Sequence, residues 1–169
     1  MRPIFALALA LLLAAFQAAL LHHLGGGALP VSLALPVVVY MGLQAGNVEG
    51  ALAAAAVGYV MDLMAGGPKG LMTGLAVALF LFSRAAAAAL SIHGKLGFAI
   101  LTGVGTLLYG SLALLVQRAV SPAESAPGAA LLGRVLVDAI ATALVSPLLL
   151  VGLRRVEGLF SREDPGLLR

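Results

Sequence analysis

The sequence predicts an all-α integral membrane protein, a bundle of six transmembrane helices, and three observations lead there. Apolar residues fill 62% of 169 positions while charged residues fill 10%. The charges stand mostly singly between apolar runs of roughly 18 to 23 residues, about the length that crosses a hydrocarbon core as a helix. Those runs are continuous Leu, Ala and Val without period-2 alternation. That pattern excludes a β-barrel, the other architecture that pairs every backbone polar group away from water.

The spans follow in order, each bounded by its own punctuation. Span one, about 4–24, begins after Met1-Arg2-Pro3 with the charge order of a secretory signal. Its apolar run exceeds the usual signal core of about 7 to 15 residues and further spans follow, so it reads as an uncleaved first helix. Gly25-Gly26-Gly27 turns the chain into span two, about 28–45, which Pro30 opens and Pro36 interrupts. This is the least regular span and reads as a kinked helix or a re-entrant segment. Gly46-Asn47 leads to span three, about 48–66, and Gly66-Gly67-Pro68-Lys69-Gly70 to span four, about 71–92. His93-Gly94-Lys95 precedes span five, about 96–118, and the longer loop Ser121–Gly128 precedes span six, about 130–153. Pro147 should kink this last span by removing the bond to the carbonyl of Ala143. Residues 1–153 thus form one helical domain and 154–169 a short cytoplasmic tail. The short connections make successive helices antiparallel neighbours and leave no room for a separate soluble domain.

Charge supplies the orientation. The net charge of +3 and a pI near 9.8 come from basic residues at span ends, with no basic stripe carrying interleaved aromatics, so nucleic acid is not a partner. With six spans and the amino terminus inside, Arg2, Lys95, Arg154, Arg155, Arg162 and Arg169 are cytoplasmic and Lys69, Arg118 and Arg134 lie outside. That excess favours both termini in the cytoplasm, and losing the second span would reverse the tail. Arg84 falls within span four and is expected to snorkel. No cysteine is present, which removes disulfides and thiolate metal sites.

Span three carries the strongest pattern: Gly50, Ala54, Gly58, Asp62 and Gly66 recur every fourth position, and Gly70 continues the count through the turn. Small residues at this spacing let a second helix backbone approach closely, and packing within the chain is favoured over a partner interface. Asp62 is the polar member of the stripe, a candidate for capping the following loop or for binding a partner. Asp138 in span six is its counterpart at similar depth, and Arg134 four residues earlier can form an ion pair with it. His22 and His23 fall at the opposite side from His93, so interfacial placement outweighs a metal site. Nothing resembles a nucleophile elbow, a paired-acid site or a Walker loop, and Gly103-Val104-Gly105 follows no strand. No catalytic residue, cofactor or metal is expected.

The stretch Gly58-Tyr59-Val60-Met61-Asp62-Leu63-Met64-Ala65-Gly66, with Gly70 after it, resembles the small-x-x-x-Asp-Leu-x-x-Gly-x-x-x-Gly stretch of the MreD family. Gln17, Pro30, Val37-Val38-Val39-Tyr40 and Pro147 followed by Arg154-Arg155 fall in that family's order, so the resemblance covers most of the chain. Lys69 departs from the usual apolar residue before the glycine. The resemblance implies a non-enzymatic scaffold in the bacterial inner membrane that supports rod shape and lateral peptidoglycan synthesis. It implies an MreC-like bitopic partner, with MreB, RodA and a class B penicillin-binding protein in the same machinery. The alternative is the substrate-binding subunit of an energy-coupling-factor vitamin transporter, which is similar in architecture. The shortage of aromatic and polar side chains within the spans disfavours a selective pocket.

Overall fold

A computed structural model describes residues 32–65, 69–89, 94–120 and 128–160. They form five helices, α1 (Ala34–Gln44), α2 (Asn47–Ala65), α3 (Leu71–Ala89), α4 (Gly94–Val120) and α5 (Gly128–Phe160), and no strand occurs among the described residues. Three stretches are long and apolar enough to cross a membrane: Leu71–Ala89, Gly94–Ala119 and Leu131–Arg155. Their outer faces display Leu81, Leu96, Ile100, Leu115, Leu144 and Leu148, a surface suited to hydrocarbon rather than water.

The expectation of six spans needs correction. Residues 4–24 lie outside the described residues, and the second span is not a span. It contracts to the 11 residues of α1, about 16 Å of helix and half of a bilayer core. Pro36 is no interruption, because it is the third residue of α1, where its missing N–H would have had no intrahelical acceptor. The sixth span agrees with the apolar stretch Leu131–Arg155, and its helix α5 runs on to Phe160 through part of the presumed tail. Nothing between Arg154 and Phe160 breaks a helix except Gly158, whose cost of about 1 kcal/mol a long helix absorbs. Pro147 does not end α5 either. The carbonyl of Ala143 that it deprives of a backbone donor accepts the Ser146 hydroxyl at 2.9 Å instead.

Helix α1 is the centre of the bundle. Every residue from Ala34 to Gly42 is buried, as expected of a helix apolar on all sides. Gly42 lies against α3, where an added Cβ would come within 2.7 Å of Ser83 Cβ. Tyr40 meets Phe98 of α4 edge to face, centroids 6.3 Å apart. Around this core stand two antiparallel pairs. In α2 and α3, Gly50 lies on the ring of Phe80 and Gly58 on the backbone of Met72 and Thr73. In α4 and α5, Gly103 meets Ala143 and Gly110 meets Val135. Two buried hydroxyls bond back along their own helices, Ser83 to the Leu79 carbonyl at 2.7 Å and Thr102 to that of Phe98 at 2.8 Å.

Candidate functional site

Three charged residues, Asp62, Arg84 and Asp138, meet the chain at or beside the ends of other helices. Asp62, on the last turns of α2, receives the N-terminus of α3. Its carboxylate accepts the backbone N–H of Gly70 at 3.1 Å, Met72 at 2.8 Å and Thr73 at 3.0 Å, and the Thr73 hydroxyl at 2.6 Å. Orphan amides of a first helical turn normally turn to water or to a local cap, and here the preceding helix supplies the acceptor. A carboxylate at that position also meets the positive end of the α3 dipole. Gly70 makes the approach possible, because its φ of +92° is the left-handed conformation that glycine adopts without penalty. The same residue is exposed, as is Lys69 beside it.

The stripe leading to Asp62 faces α3. Gly50, Ala54, Gly58 and Asp62 are all buried. An added Cβ on Gly58 would fall 2.5 Å from Thr73 Cα and 2.6 Å from the Met72 carbonyl oxygen. Both are backbone atoms that cannot swing aside, so the glycine sets the helix separation that brings the carboxylate to the amides. Gly66 lies outside the described residues.

Asp138 is elsewhere and differently held. It sits on α5, half-buried, and accepts the Ser32 hydroxyl at 3.1 and 3.3 Å on its two oxygens and the Thr142 hydroxyl at 3.2 Å. Thr142 in turn accepts the Ser32 N–H at 3.1 Å. The expected ion pair with Arg134 is replaced by these hydroxyls, and Arg134 is exposed. An arginine four residues away on an exposed face gains more from water than from a partly desolvated carboxylate. Ser32 lies two residues before α1, so the Asp138 cluster anchors the chain where it enters that helix.

The other end of α1 is held by Arg84, whose Nη1 donates to the Ala45 carbonyl at 2.7 Å. A cation on the carbonyl end of a helix is favoured by the dipole as well as by the bond. The Arg84 side chain therefore reaches the turn between α1 and α2. The cluster of Ser32, Thr142 and Asp138 thus anchors the chain just before α1, and Arg84 supplies a partner at its carbonyl end.

Sequence reasoning singled out Asp62, Asp138, Arg84 and the glycines but missed Ser32, Thr73, Thr106 and Thr142. Thr142 could have been found from its spacing of four from Asp138, and Thr73 from its place three residues after the turn glycine. Nothing in the sequence links Ser32 to Asp138 or Arg84 to Ala45. The three histidines lie outside the described residues, and no group of three or more His, Cys, Asp or Glu able to hold a metal occurs among the described ones. No protein-family model, curated protein or solved structure matches this chain.

Proposed function

We propose that this chain is a non-enzymatic membrane scaffold of the bacterial cell-elongation machinery, acting beside an MreC-like bitopic protein. The observation that carries this reading is the stretch from Gly58 to Gly70, on which the resemblance to MreD rests. Each of its described small or acidic positions serves packing or helix capping: Gly58 spaces α2 from α3, and Asp62 caps α3 through Gly70, Met72 and Thr73. A motif used in this way builds a rigid hairpin surface, which suits an adaptor. Arg154 and Arg155 suit a cytoplasmic exit for α5.

The test is depletion in a rod-shaped host together with purification of the complex. Depletion should round the cells by misplacing wall synthesis, and an MreC-like protein should copurify in stoichiometric amount. Native mass spectrometry decides against the scaffold if it finds a vitamin-sized ligand and ATPase subunits with no elongation protein.

A further inference from the structure

We propose that Asp138, with Ser32, Thr106 and Thr142, forms a binding site for a monovalent cation, a proton or a sodium ion, at mid-depth in the bundle. The site is independent of the scaffold reading and rests on four observations.

The first is depth. Thr142 lies near the centre of the apolar stretch Leu131–Arg155, and Thr106 near the centre of Gly94–Ala119. Asp138 is one turn of α5 from Thr142. A carboxylate there is about as far from bulk water as the bundle permits, where an uncompensated charge costs several kcal/mol.

The second is that no cationic side chain pairs with the carboxylate among the described residues. Its protein donors are the hydroxyls of Ser32 and Thr142. Arg134, the charged residue nearest in sequence on its own helix, is exposed. Helix α1 carries no charged residue, and Arg84 of α3 is engaged with Ala45. A bound cation would supply a countercharge.

The third is Thr106, whose hydroxyl is buried at 1% exposure and is the one buried side-chain polar atom without a hydrogen-bond partner among the described residues. It lies on the α4 row between Gly103, which packs on Ala139 and Ala143, and Gly110, which packs on Val135. That register aims it at the stretch of α5 holding Asp138. An orphan hydroxyl in a dry interior costs about 1 to 3 kcal/mol unless something binds it.

The fourth is the donor set. One carboxylate and three hydroxyl oxygens are hard ligands suited to a small alkali cation. With a proton instead, the acid form of Asp138 becomes a donor as well as an acceptor, a role the hydroxyls around it can satisfy. Asp62 cannot serve in the same way, because four donors already occupy its oxygens.

Carbodiimide labelling of the purified full-length protein tests the site, since the reagent attacks carboxyl groups that carry a proton in an apolar setting. Dicyclohexylcarbodiimide should give a single adduct, located at Asp138 by peptide mass spectrometry, forming severalfold faster at acid than at neutral pH and absent from Asp138→Asn. Sodium chloride, compared with choline chloride, should slow the reaction severalfold if the occupant is sodium. Indifference to sodium with the acid dependence retained assigns the site to a proton. Thr106→Val removes no hydrogen bond of the chain and should leave folding intact while shifting the acid dependence or weakening the sodium protection. Absence of an adduct at every pH, an adduct unchanged in Asp138→Asn, or a Thr106→Val protein that folds and labels like the parent would overturn the proposal.

Discussion

Asp62 and Asp138 are the same residue type on two helices of one bundle, and their surroundings differ in kind. Asp62 receives three backbone amides and a hydroxyl from the N-terminus of α3. Asp138 receives two hydroxyls and no backbone amide among the described residues. Backbone amides at a helix start are fixed donors that have lost water, so they hold a carboxylate ionised and in place. Hydroxyls rotate, donate or accept, and leave lone pairs free. The difference teaches that an acidic residue inside an apolar bundle can be a structural bolt in one place and an exchangeable site in another. The donor shell decides which.

The most damaging way to break the comparison is Asp62→Ala. It strands three buried amides and the Thr73 hydroxyl, and unfolding in detergent should become easier by about 2 to 4 kcal/mol, read as a fall in melting temperature. Asp62→Asn, which keeps one carbonyl acceptor, should lose roughly half as much. Membrane insertion of Asp62→Ala should persist, because the change removes a charge from an apolar helix.

Next in size is the spacing that brings Asp62 to its amides. Gly58→Leu drives carbons into the backbone of Thr73 and Met72 and should destabilise by about 1 to 3 kcal/mol or more. Ala78→Leu on the exposed side of α3 should change the melting temperature little. Equal melting of the two variants would show that the α2–α3 contact is loose.

Arg84→Met tests the opposite end of α1 and removes the donor to the Ala45 carbonyl. A loss of about 1 to 2 kcal/mol is expected, with faster hydrogen exchange in residues 41–47 as the local signature. The smallest effect should belong to Asp138→Asn, which keeps an acceptor for Ser32 and Thr142. A change of under about 1 kcal/mol would sharpen the contrast with Asp62. A loss as large as that of Asp62→Ala would erase it.

Composition and run length alone determined that the chain is helical and apolar, because one bilayer length of Leu, Ala and Val leaves a backbone few other ways to satisfy its polar groups. The three long helices were legible for this reason, and so was the Gly50–Asp62 stripe, since a period of four on a helix is a local property. The contraction of the second span was only half legible. Pro36 announced an irregularity, but whether proline interrupts a helix or opens one depends on where the helix begins, and Ser32 with its partners on α5 anchors the chain just before that point. Tertiary structure alone decided what the buried charges do. Arg84 meets a carbonyl 39 residues away and Asp138 a serine 106 residues away. The sequence therefore announced that these charges needed partners, while only the folded bundle, by setting which helix ends lie beside which side chains, could choose them.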